Sequence, residues 1–194
     1  MANSIYYNRN QIEALARLAA ADYAAACTGP TVRSQDGGKE GRGMTLAQRA
    51  KALGITEREA KGLGLHDETM AEVALRLGLT WAEAQEKLVD LATASWEELS
   101  PHWQQANIDS AMGMIALMEE MGGEEAILAL DLDNEVVRVE AGTRLHQLWL
   151  TQSANDWAIG GPLDKPFVEL DPVEQAKDIQ QLRSLQKWLR SLRG

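Results

Sequence analysis

Thr45–Ala60 reads TLAQRAKALGITEREA, and Thr69–Ala84 reads TMAEVALRLGLTWAEA. Set 24 residues apart, the two stretches agree at eight of sixteen positions. The identities are Thr45/Thr69, Ala47/Ala71, Ala50/Ala74, Leu53/Leu77, Gly54/Gly78, Thr56/Thr80, Glu59/Glu83 and Ala60/Ala84. An internal repeat outranks any single motif in deciding a fold. Its parts have mechanical roles. Thr45 and Thr69 cap a short helix, and Leu-Gly ends it because glycine accepts the left-handed turn. Thr56 and Thr80 cap the next helix, with Glu59 and Glu83 three residues on to complete a capping box. Each unit is therefore expected to be a helix–turn–helix hairpin, packed on its neighbour through Leu46, Ala50, Leu53, Ile55 and Val73, Ala74, Leu77, Leu79.

A hairpin of this kind binds DNA only if its second helix offers donors to base edges. Arg58 and Lys61 in the first unit, and Gln85 and Lys87 in the second, are the candidates. Glu57, Glu59, Glu83 and Glu86 stand beside them, so plain packing is the stronger reading.

Outward from the repeat the chain stays helical. Residues 9–26 carry Ile12, Leu15, Leu18 and Ala19 at helical spacing, stopped by Thr28-Gly29-Pro30, and residues 1–28 are expected to be an arm helix. Residues 29–44 hold five glycines and almost no apolar residue, which predicts a flexible linker. The tandem hairpins fill 45–95. A helical domain over 97–194 follows. Pro101 opens a helix behind a Ser100 cap, and that helix runs to about Met121 with a Met-rich face. Helical spacing returns over Asn134–Leu150 and again from Pro172 to Leu192. The absence of alternating apolar runs argues against a sheet, so the expected class is all-α.

Composition narrows the function. The 194-residue chain has a net charge of -10, and residues 97–146 alone carry 11 acidic groups against 2 basic ones. Any DNA surface must lie outside that stretch. One cysteine, Cys27, excludes an internal disulfide, and no apolar run is long enough to span a bilayer, so the sequence places the protein in a cytoplasm with no membrane partner. The three histidines, His66, His102 and His146, form no metal-ligand pair. Asp131-Leu132-Asp133 starts like a calcium loop, but Val136 and Gly142 occupy the positions that need Gly and Glu. No phosphate loop or nucleophile elbow is present, and adjacent carboxylates on a helix do not face each other. The sequence supports no enzyme, no metal and no cofactor.

The remaining signal lies in Leu145–Leu185, LHQLWLTQSANDWAIGGPLDKPFVELDPVEQAKDIQQLRSL. Trp149, Trp157 and Phe167 bracket a Pro-rich loop that needs aromatic packing to be ordered, and His146 can hydrogen-bond Asp178 across two helices. The same groups can serve a ligand, since indoles stack on a base and a His/Asp pair orients it. In its motifs the stretch resembles the RyR domain, the small helical repeat named after ryanodine-receptor calcium-release channels and found also in bacterial and phage proteins. The matching positions are His146-x-x-Trp149, Trp157, Gly160, Pro166-Phe167-x-Glu169-Leu170, Glu174 and Asp178. The resemblance implies a non-catalytic module that holds subunits together or binds a small ligand, a nucleotide among the candidates. The ligand-binding set is then His146, Trp149, Trp157, Phe167 and Asp178. Three functions are expected in order: a self-associating interaction or ligand-sensing protein of bacterial or phage type, with a protein partner or a small ligand; a DNA-binding regulator using Arg58, Lys61, Gln85 and Lys87; and a phage virion or assembly component.

Overall fold

Four threonines, each with a hydrogen-bonding residue three positions later, set the pattern of the middle of the chain. The computed structural model describes residues 7–152, 159–161 and 163–194. The chain divides into two compact units, Cys27–Trp103 and Met1–Ala26 with Gln104–Gly194. The described residues are mostly helical, with one two-stranded antiparallel sheet.

In the first unit the repeat folds as the sequence predicts. The helices are α2 (Leu46–Leu53) and α3 (Glu57–Gly62), then α4 (Met70–Leu77) and α5 (Trp81–Lys87). Thr45, Thr56, Thr69 and Thr80 each form a full capping box. The partners are Gln48, Glu59, Glu72 and Glu83, so Gln48 and Glu72 complete two boxes that the sequence reading left half-made. Gly54 and Gly78 end α2 and α4 at φ 68° and 67°, the left-handed conformation that favours glycine.

The packing departs from expectation in two ways. First, residues 29–44 are not a bare linker. They hold strand β1 (Val32–Ser34) and a 3-10 turn at Lys39–Gly41. Strand β1 pairs antiparallel with β2 (Leu88–Asp90), Val32 opposite Asp90 and Ser34 opposite Leu88. Val32 supplies the apolar anchor that the glycine count obscures. Second, the hairpins are not joined through Leu53, which stands 61 % exposed. The buried cluster is Val32, Val73, Ala74, Ala84 and Leu88, with Met70, Leu77 and Leu79 against it, and it takes no residue from the first hairpin. Polar ties link the hairpins instead. The Leu46 amide donates to Asp67 at 2.6 Å, the Met44 amide to Glu68 at 2.9 Å, and Arg49 to Glu72 at 3.0 Å. Ser100 caps the next helix at 3.4 Å from the Trp103 amide, and the Trp103 indole donates to the Ser34 carbonyl at 2.8 Å.

The second unit is built on α9 (Pro172–Ser191). Asp171 caps it and Pro172 occupies its first turn. Helix α1 (Arg9–Ala26) packs along α9, as do α7 (Glu124–Leu128) and α8 (Glu135–Thr151), while α6 spans Pro101–Glu120. The expected arm thus has its partner within the chain. Leu15, Ala16 and Ala19 are its buried face, and Ser184 of α9 donates to Asp22 at 2.7 Å. Met114 and Met118 of α6 are fully buried while Met112 is exposed, so the Met-rich face is chiefly core filling. The Gln186 side-chain amide, buried on α9, donates to the carbonyls of Ile127 and Leu130 and so satisfies the end of α7.

Candidate functional site

His146 lies on the buried face of α8, and Asp178 lies two turns into α9. Where the helices meet, His146 Nδ1 is 3.0 Å from Asp178 Oδ2. The other ring nitrogen, Nε2, is 3.1 Å from the carbonyl oxygen of Leu163, in the segment that leads to α9. The residues are 3 % and 7 % exposed, so the contact is shielded from solvent screening. The hydrogen bond to Asp178 raises the His146 pKa above its ordinary 6.5, against the opposing effect of burial. Burial raises the Asp178 pKa above 3.8, and the bond to His146 offsets that only in part. Both shifts favour keeping a proton in the pair.

One aromatic stacks on the pair, and a second packs on α8 one turn earlier, at Gly142. The Trp149 indole, half-buried one turn along α8, lies nearly parallel to the His146 ring, with centroids 5.8 Å apart and planes 17° apart. Phe167, in a 3-10 turn at Phe167–Glu169, is 1 % exposed. Its ring lies against Gly142 so closely that a Cβ there would fall 2.4 Å from Phe167 Cζ. Phe167 is thus core rather than a ligand platform in this arrangement. Trp157 lies outside the described residues.

The predicted ligand set therefore splits. His146, Asp178 and Trp149 come together, while Phe167 is buried against Gly142 on the same helix α8. Around them Glu174 and Lys177 form an ion pair at 2.9 Å on α9, and the Lys177 ammonium sits 5.6 Å from the Tyr23 ring centroid. Sequence reasoning missed the Leu163 carbonyl, because a backbone acceptor leaves no trace in residue identity. A groove of about 360 Å³ lies elsewhere in this unit, lined by Leu117, Glu120, Arg144, Gln147, Leu148 and Thr151. It contains none of the predicted site residues.

The DNA-binding alternative is placed on two separate helices. Arg58 and Lys61 are exposed on α3, and their spacing of three puts them on one face. Gln85 and Lys87 are exposed on α5, but a spacing of two sends them to different faces. The carboxylates of Glu59 and Glu83 are bound into their capping boxes.

Among the described residues, no group of three or more His, Cys, Asp or Glu is placed to hold a metal ion, and no helix is long and apolar enough to cross a membrane. Compared with protein-family models, curated proteins and solved structures, the chain matches none.

Proposed function

We propose that this chain is a non-enzymatic module of bacterial or phage type that self-associates and senses a small ligand, with a nucleotide as the ligand class. The observation that carries the reading is the Trp149 indole, half-buried and stacked on the His146 ring beside Asp178. A half-buried flat indole offers a stacking face for a base, and the His146–Asp178 pair behind it holds the imidazole on which the indole stacks. The RyR-like motifs point to the same residues. Both His146 nitrogens are engaged and Asp178 faces His146, so neither group is set to take a proton from a substrate, which supports binding over catalysis. Large apolar side chains exposed on the hairpins, Leu53, Leu63, Leu75 and Trp81, support self-association.

The test is a thermal melt of wild type and Trp149→Ala against a panel of nucleotides. One nucleotide should raise the wild-type Tm and leave the variant's unchanged. A flat response to the whole panel removes the ligand reading. Light scattering should give a mass above the 21.3 kDa of one chain, and a strict monomer removes the self-association.

The second reading, a DNA-binding regulator, is favoured by one observation, the exposure of Arg58, Lys61, Gln85 and Lys87. It requires a gel shift at low salt that weakens when Arg58 and Lys61 become Ala. A DNA probe left unshifted at low salt ends it.

A further inference from the structure

The two bonds of His146 impose a count of protons. A backbone carbonyl only accepts, so the nitrogen facing Leu163 must carry hydrogen. One further proton lies between Nδ1 and the Asp178 carboxylate, on one side or the other. In either distribution the imidazole and carboxylate are together neutral, which suits two buried side chains.

Removing one proton to solvent breaks this arrangement. The pair becomes an anion, and the imidazole keeps a single N–H for two acceptors. If that hydrogen stays on Nε2, a bare Nδ1 lone pair faces a carboxylate. If it moves to Nδ1, a bare Nε2 lone pair faces a neutral carbonyl. The charged acceptor makes the stronger bond and the worse unpaired neighbour, so the hydrogen goes to Nδ1. The Leu163 carbonyl is then left without its donor. We infer that His146 is a proton-operated latch, which fastens the Leu163 end of the segment before α9 when the pair is neutral and releases it when the pair loses its proton.

The release is local by construction. Phe167 remains wedged against Gly142, so the segment is still held four residues further on. The surrounding charges do not supply a competing switch. Glu174 and Lys177 on α9 are paired with each other, and Asp164 accepts from the Gly160 amide at 2.7 Å. From the segment, the Leu163 and Lys165 backbones face the imidazole, while Glu169 is exposed; from α8 the neighbour is the uncharged Trp149 ring. The direction follows from the raised pKa values. The folded pair binds more protons than the unfolded chain, so the latch holds below the ordinary histidine value of 6.5 and is lost as pH rises through the folded His146 pKa. It operates whether or not a ligand binds at Trp149.

Amide hydrogen exchange of the full chain, corrected for intrinsic rates, reads the latch directly. The Asp164 amide, bonded to the Gly161 carbonyl, should lose protection about tenfold between pH 6 and pH 9, the change that loss of one such bond sustains. The Leu170 amide, bonded to the Phe167 carbonyl, should keep its protection. His146→Gln should remove the pH dependence at Asp164. Constant protection of Asp164 in wild type, the same pH dependence in the variant, or parallel loss at Asp164 and Leu170 would each overturn the inference. Should His146→Gln fail to fold, ring-nitrogen NMR of wild type decides. Nε2 must carry hydrogen at pH 6, and finding it bare there also overturns the latch.

Discussion

The two hairpins share half of their aligned residues and all four threonine caps, yet only the second contributes to the cluster closed by the sheet. Leu77 packs against that cluster, while its counterpart Leu53 stands 61 % exposed. The difference lies in the positions that do not match. Val73 faces the cluster where the first repeat has Arg49, which instead bonds the His66 carbonyl and Glu72. Leu88 closes the cluster where the first repeat has Gly64. Caps and glycines thus specify the hairpin, and two apolar side chains decide whether it is anchored. The same local code has been given two tertiary outcomes.

The largest expected effect breaks that contrast at its strongest point. Leu88→Ala removes a buried leucine and should cost about 2–5 kcal/mol, as large-to-small core changes do. Leu53→Ala removes an exposed one and should change stability by about 0.5 kcal/mol or less. Urea denaturation of both variants provides the measurement. Equal costs would mean that the first hairpin has an apolar partner after all.

This contrast also marks what was legible beforehand. Helix limits at Thr45, Thr56, Thr69, Thr80, Gly54 and Gly78 are written in neighbouring residues, because a cap bonds only three positions away. The pairing of Val32 with Asp90 is not, because three-residue strands carry no periodic signal and the partners lie far apart in sequence. Glycine was misleading for a related reason. Gly41 reads as flexibility, but a Cβ there would fall 2.8 Å from Ser34 Cα, so it serves close approach to β1. At the candidate site, the hydrogen bond of His146 to Asp178 across two helices was legible in the sequence. Their third partner was not, and it is the one that turns a helix–helix bond into a latch.

A second comparison tests whether the local code acts independently of anchoring. Gly54→Ala and Gly78→Ala both force an L-residue into the left-handed region, at a cost of about 1–2 kcal/mol. An added Cβ meets nothing within 4 Å at either position, so no packing term separates them. Hydrogen exchange in α2 and α4 should therefore show similar local destabilisation. A much larger loss in α4 would show that its glycine turn is coupled to the sheet-closed cluster.

The smallest effect concerns pH, and it sets the hairpins against the His146 latch. Bonds from the Thr56 backbone and side chain hold the Glu59 carboxyl below its ordinary 4.5, and bonds from Thr80 do the same for Glu83. A lowered carboxyl pKa contributes stability that is present above the unfolded value and lost as pH falls through the folded one. The two hairpins should therefore loosen together on acidification below about 4.5, anchored or not, because both boxes use the same atoms. His146 and Asp178 have raised values, so their contribution is lost in the opposite direction, as pH rises. Residue-resolved exchange from pH 3 to pH 9 should thus show α3 and α5 amides weakening at the acid end and Asp164 at the alkaline end. Glu59→Gln and Glu83→Gln keep an acceptor that does not titrate and should flatten the acid response in their own hairpin only. If one of these substitutions also flattens the other hairpin's response, the repeats are not the independent local units that their caps describe.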